Sequence, residues 1–475
     1  MHEADKKPDE KSTAAAEPRR PIAVTCRISD YHLGMGTKLP SGEPNRHEDF
    51  HDDTVYAELL QALEERYERT VPLTLEWGGD MIDFHAITYQ GRHAAVPTLE
   101  AALTKLEACI TGHPVFWNAT RGFLSGQTRR IDITAGNHDF ELVWPEVQAR
   151  VRGRLGIGPR DRRIRFVTEV FDGSVCKTHG DSFDPINSNP PRDEWFTTEK
   201  YSGSRRTLLN YPYGSILCAS IAQSLKLRRA RVGRMKKHGE ALTLSLAREW
   251  YFTGVATLIS LSTVFYHVFL TRQSSVRRKA KIRRILRLVL DTVRNETMLS
   301  EITEFARRHP NVTSIQAGHT HLPGVQRFVV DGREVTYWNT GTGMGQIRFR
   351  RPEFKSFITP FPKLEAFFRR IAFYWKEKPS TAALILLIHV AVIALPFAVR
   401  DLFGWSLDQT VWIVLILSVI SLLTRLSFAL HVDEEFTEYN FLETRRYADG
   451  TTETELLRFC PVEKHFKPHE KEPQA

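Results

Sequence analysis

Cysteine is scarce: Cys26, Cys109, Cys176, Cys218 and Cys460 are the only five in 475 residues. Their spacing matches no thiolate metal site, and an odd, scattered set argues against a disulfide framework, so a reducing compartment fits best. Cys176 falls in a predicted strand and reads as a small buried apolar residue. Residues 1–20 are charged and lack an apolar core, so they carry no visible secretory signal and read as a disordered tail. Nor is there an aromatic–basic platform of the kind that grips single-stranded nucleic acid, despite a net charge of +9.

What is present is a series of polar clusters, each closing a short apolar run. In chain order they are Asp30-Tyr31-His32, Gly79-Asp80-Met81-Ile82-Asp83, Gly136-Asn137-His138-Asp139, His179-Gly180-Asp181, Gly318-His319-Thr320-His321 and Asn339-Thr340-Gly341. The runs before them, such as Ile22–Ile28, Val71–Trp77 and Val312–Ala317, are partly β-branched and end at Gly or a small residue, which predicts strands emptying into loops. In a layered α/β fold such loops converge on one rim. Carboxylates, imidazoles and one amide, without thiolate, suit Mn, Fe or Zn, and paired divalent ions are a usual device for hydrolysing phosphate esters. A lone Asp-x-His would be ordinary turn chemistry, whereas five ordered matches at strand ends point to a site.

The blocks D-x-H, G-D-x-x-D, G-N-H-[DE], a lone H and G-H-x-H run in order from about residue 22 to 345, and in them the chain resembles the calcineurin-like metallophosphoesterases. That resemblance implies a four-layer αββα sandwich and two divalent metal ions sharing a hydroxide. Carried over position by position, Asp30, His32 and His321 hold one ion, Asn137, His179 and His319 hold the other, and Asp80 bridges them. His138 becomes the proton donor to the leaving group, and Asp83 orients its ring. Asp139, Asp181 and Thr320 are further polar neighbours without an assigned role. The opening Ser29–Gly34 also resembles the DNA-repair nuclease branch of the family, but no zinc-hook motif accompanies it. An apolar insertion before Gly318 resembles the UDP-2,3-diacylglucosamine pyrophosphatases, which split a lipid-linked pyrophosphate. Against that stand His138, where those enzymes typically carry Arg, and a long C-terminal apolar region that they lack.

Hydropathy places the chain at a membrane. Residues 380–399 contain no Asp, Glu, Lys or Arg and are long enough to cross ~30 Å of hydrocarbon; residues 409–424 form a shorter partner. Bases on the outer flanks and acids in the intervening loop predict that catalytic domain and C-terminus face the cytoplasm. A third apolar stretch, 251–270, lies between His179 and His319, so a single crossing there would divide one site between two sides of a bilayer. It reads instead as an interfacial or groove-lining helix. Seven bases from Lys226 to Lys237 and eight from Arg272 to Arg287 flank it and suit an anionic membrane surface.

The chain thus divides into a tail (1–20), a catalytic domain (21–184 and 300–355), a basic and apolar helical lid (185–299), a transmembrane hairpin (360–430) and a cytoplasmic tail (431–475), in which Ala448-Asp449-Gly450 predicts a hairpin turn. The expected function is hydrolysis of a phosphoester or pyrophosphate in a membrane-derived or lipid-linked substrate. A metal-dependent nuclease, a phosphoprotein phosphatase and, in a different class, a non-catalytic membrane scaffold are the alternatives; nucleic acid is the disfavoured partner. The run Glu48, Asp49, His51, Asp52 and Asp53 reads as the capping face of a following helix. His47, His85, His93 and His113 read as surface or loop residues.

Overall fold

The computed structural model describes residues 19–184, 187–223, 226, 234, 297–350 and 432–469. Alternation along the first strands explains how they layer. In β1 (Ala23–Ile28) and β2 (Leu73–Trp77), Val24, Cys26, Ile28, Leu73, Leu75 and Trp77 turn to one apolar cluster. Ile131 and Ile133 of β3 (Arg129–Thr134) and Ile164 of β4 (Ile164–Val167) join them. The connecting helices α1 (Asp53–Arg66), α2 (Leu99–Gly112), α3 (Pro114–Phe123) and α4 (Pro145–Arg154) bury their apolar stripes in the same cluster. Strands β1 to β4 are parallel neighbours, so each βα crossover returns the chain to the same edge and leaves every following loop on one rim.

A second sheet holds β5 (Val170–Asp172), β6 (Val175–Lys177), β9 (Ser314–Ala317), β10 (Gly324–Val330) and β11 (Arg333–Asn339) in the order β10-β11-β9-β6-β5. Its own apolar cluster forms against α6 (Thr297–Arg308), through Ile302, Phe305 and Ala306 on Ile315, Ala317 and Val335. Cys176 is buried there, as its place in a strand predicts. The polar positions of the two sheets meet each other. Lys177 Nζ reaches Glu76 Oε1 at 2.5 Å, Arg27 donates to the Thr178 carbonyl, and Gln316 Nε2 donates to Thr444 Oγ1 at 3.3 Å. The molecule is therefore a mixed α/β fold with parallel and antiparallel pairing in both sheets.

Three boundaries differ from expectation. Residues 432–469 are no appendage: β14 (Tyr439–Arg446) pairs antiparallel with β1, and β15 (Thr452–Cys460) and β16 (His465–Pro468) extend the same sheet to seven strands. The predicted turn at Ala448-Asp449-Gly450 does join β14 to β15. Arg19, assigned to the tail, pairs with Asp449 and lies 4.4 Å above the Tyr447 ring. The segment assigned to a helical lid opens with a β-hairpin, β7 (Phe196–Tyr201) and β8 (Ser204–Leu209), docked through Phe196 on Trp144. A short helix α5 (Tyr213–Leu217) follows and continues as a π-helical turn, Cys218–Ala222.

The chain then leaves the second sheet through β12 (Gln346–Arg350), which pairs with β13 (Val432–Phe436), Arg350 opposite Val432. The apolar stretches 251–270, 380–399 and 409–424 lie outside the described residues, as do most of the two basic clusters. Among the described residues no helix is long and apolar enough to cross a membrane.

Candidate metal centre

Every predicted cluster follows the strand expected to precede it. Asp30 and His32 follow β1, Asp80 and Asp83 follow β2, Asn137 and His138 follow β3, His179 follows β6, and His319 and His321 follow β9. The loops are zipped to one another beyond the strands: the Asp30 and His32 amides donate to the Gly79 and Asp80 carbonyls at 3.0 Å each, and Gly318 N donates to His179 O at 2.8 Å. This stitching imposes unusual backbone geometry. Asp30, His32, Asp80, His319 and His321 all have φ between 52° and 70°, and they are five of the nine non-glycine residues in the left-handed region among those described. Each such residue costs roughly 1–2 kcal/mol, so the surrounding hydrogen bonds must over-determine it. Gly79 (φ 97°) can also approach where nothing else could, since a Cβ there would lie 2.4 Å from His179 Nδ1.

Three groups of donors converge that could hold a metal ion; one of them, His32, Asp83 and His138, shares His32 with the first of the two groups that the motifs single out. In the first, His32 Nε2 and His321 Nε2 face each other at 3.0 Å, with Asp30 Oδ1 3.4 Å from His321 Nε2. Two imidazole nitrogens at ~2.1 Å from one cation, at right angles, would stand about 3 Å apart, so the pair has the spacing of adjacent ligands. The second group comprises Asp80, His179 and His319. His179 donates through Nδ1 to the Gly78 carbonyl at 3.0 Å, which leaves Nε2 as the ligating nitrogen. Asn137 Oδ1 is buried with no hydrogen-bond donor against it among the described residues, and a cation would satisfy it. Asp80 Oδ2 lies 3.1 Å from His179 Nε2 and 4.0 Å from His32 Nε2, so a single oxygen faces both groups.

Beside them, His138 Nδ1 donates to Asp83 Oδ1 at 3.1 Å. Burial works against a charged His138, but Asp83 and then Asp80 outweigh it and hold its pKa well above the ordinary imidazole value. His32 goes the other way: burial, with His138 and His321 alongside, pushes it well below that value, which suits a neutral ligand. Burial alone would raise Asp80, yet His179, His138 and His32 keep it well below the usual carboxylate range.

Several neighbours now have roles. Asp139 accepts the Gly136 and Met81 amides at 2.6 and 2.8 Å, tying the second loop to the third, and burial with Asp80 nearby pushes its pKa to about 7. Thr320 Oγ1 accepts from Asn339 Nδ2 at 3.1 Å, while Asp181 accepts the Asn189 amide at 3.1 Å. Thr340 shares a hydroxyl contact with Ser29, and Thr342 donates to the Asp30 carbonyl, so the last cluster buttresses the first. Asp184, 3.1 Å from His319 Nε2, carried no motif signal.

The acidic run and the orphan histidines depart from expectation. Asp53 does begin α1, but Asp52 makes no side-chain cap. Glu48 and Asp49 are buried instead, Glu48 accepting the Gly34 and Gly36 amides at 3.0 and 2.8 Å. His47, His85 and His113 are buried rather than at the surface, and His93 is half-buried with its ring 3.8 Å from that of His47. They escaped notice because contacts between distant loops, not local spacing, put them inside. No family model matches the chain, and no curated protein matches it.

Proposed function

We propose that the protein is a dinuclear metal-dependent phosphoesterase, acting on a phosphoester or pyrophosphate bond. One oxygen carries the reading: Asp80 Oδ2, which faces both donor groups as a bridging carboxylate must. Donors limited to oxygen and nitrogen suit a pair of Mn, Fe or Zn ions. Bound there, such ions would supply an activated water and draw charge from the phosphoryl oxygens. Asp30, His32 and His321 would hold one ion, Asn137, His179 and His319 the other. The rest falls to the protein. His138, kept charged by Asp83 and with Nδ1–H committed to it, offers Nε2–H to the leaving oxygen, a contribution of about 10²–10⁴-fold for a poor leaving group. Helices on the outer face of each sheet are consistent with the αββα sandwich of the calcineurin-like metallophosphoesterases.

For the substrate, the reading is membrane-derived or lipid-linked, with the domain at a cytoplasmic membrane surface. Beyond hydropathy, strand pairing supports it: Arg350 and Val432 are opposite each other, so the excursion between them begins and ends about one strand spacing apart, ~5 Å. If 380–399 crosses a bilayer, the number of crossings is even, and 409–424 is the natural return. Elemental analysis of purified protein should find two divalent ions per chain, with Mn-dependent hydrolysis of bis-nitrophenyl phosphate. Asp80→Asn should lower both metal content and rate, the latter by about 100-fold or more. A chain that binds a single ion, or an Asp80→Asn variant that keeps both, would overturn the dinuclear reading. Lipid, phosphopeptide and DNA substrates compared with and without anionic vesicles would then separate the substrate classes.

A further inference from the structure

The segment after the β7–β8 hairpin is wedged against the loop that carries the proposed acid. Ser215 Oγ donates to the Asn137 carbonyl at 2.8 Å, Cys218 Sγ stands 3.9 Å from His138 Nε2, and Gln223 Oε1 meets His47 Nδ1 at 2.9 Å. Lys226, first member of a run of bases expected at a membrane surface, turns inward and is 3% exposed. Its ammonium group pairs with Asp49 and lies 3.8 Å from Asp83 Oδ2. A buried lysine is costly unless paired, so two carboxylates around it define its place.

Asp83 is the junction. Its Oδ1 already accepts three donors: His138 Nδ1 at 3.1 Å, the His85 amide at 3.0 Å and the Ala86 amide at 3.2 Å. Its Oδ2 faces Lys226. We propose that Lys226 is a positioning residue for proton transfer: the attraction of its ammonium group for Asp83 Oδ2, 3.8 Å away, turns Oδ1 onto His138 and so aims Nε2 at the leaving group. Lys226 is then part of the acid machinery. This rests on the phosphoesterase reading above.

Lys226→Met, which keeps the length of the side chain, separates this role from a purely structural ion pair. Loss of acid positioning slows esters with poor leaving groups and spares good ones. The variant should hydrolyse an alkyl phosphate about 10- to 100-fold more slowly, while its rate on a nitrophenyl ester stays within about twofold. Lys226→Arg should recover part of the loss. Equal slowing on both esters by Lys226→Met overturns the proposal. A crystal structure of Lys226→Met gives a readout independent of turnover: the Asp83–His138 contact should lengthen or break. If Asp83 and His138 keep their positions, the proposal fails whether or not the protein is a phosphoesterase; if they move but no phosphate ester is cleaved, only the functional reading fails.

Discussion

His113 shows how a side chain with no motif can govern stability. It lies between α2 and α3, buried, with Nδ1 3.0 Å from Asp53 and Nε2 3.3 Å from Glu48. Only the doubly protonated ring can donate to both carboxylates. Burial opposes the charge, but these hydrogen bonds outweigh it and carry the pKa from 6.5 to about 9. A base whose pKa rises on folding stabilises fully below its unfolded value. The contribution of His113 is therefore complete below about pH 6.5 and is lost as pH rises through about 9, at up to ~1.4 kcal/mol per pH unit. His113→Gln should flatten that slope in denaturant titrations between these limits. Parallel curves for the two proteins would show that His113 is not charged in the fold. Because Glu48 also grips the Gly34 and Gly36 amides, the effect should reach the loop bearing Asp30 and His32.

At the scale of elements, the site is made by strand ends whose loops continue to pair after the strands stop. That is why five candidate ligand positions tolerate a left-handed backbone: the amides of Asp30, His32 and His319 are each held, the last by the Asp30 carboxylate at 3.0 Å. The same crowding makes the third loop intolerant of any side chain at Gly136, where a Cβ would meet Asp80 Oδ1 at 2.2 Å. Gly136→Ala must displace the carboxylate and also shift loop backbone, since the added Cβ would lie 2.8 Å from both the Asp80 amide nitrogen and the His179 ring. The expected outcome is metal affinity lowered by about 10–100-fold together with a lower melting temperature. Titration calorimetry with Mn and a thermal melt would check both, and unchanged affinity would mean that Asp80 is not a ligand.

At the scale of the whole molecule, the two ends of the chain close one sheet. β14 borders β1, and buried Glu443 on it pairs with Arg66 of α1 and Arg445. A chain stopped after residue 355 would expose the edge of β1 and leave the Arg66 side of the core uncovered. It should therefore fail to fold, even though every candidate ligand is present. Deleting only residues 351–431 and joining Arg350 to Val432 by a short turn should instead preserve the fold, because those two residues already face each other. The shortened protein should hydrolyse soluble esters as the full chain does and lose part of its affinity for anionic vesicles in co-sedimentation, the basic clusters 226–237 and 272–287 keeping the rest. Vesicle binding retained in full would assign all membrane contact to the basic clusters 226–237 and 272–287, and a well-folded chain ending at 355 would refute the closing role of β14.

Local pattern by itself determined the strand-and-loop placement of each ligand cluster, because period-two alternation, a closing glycine and a charged or imidazole side chain are all properties of neighbouring residues. The same local reading located the turn at Ala448-Asp449-Gly450 and the buried place of Cys176. It could not foresee that residues 439–446 lie beside residues 23–28, since strand order across such a separation is set by packing rather than by propensity. Nor could it tell that Lys226 and Glu48 turn inward: a charge run has no intrinsic direction, and only carboxylates or amides brought from distant loops make burial tolerable. Placement was legible wherever a cluster's residues are adjacent in the chain, and tertiary structure decided what lies against them.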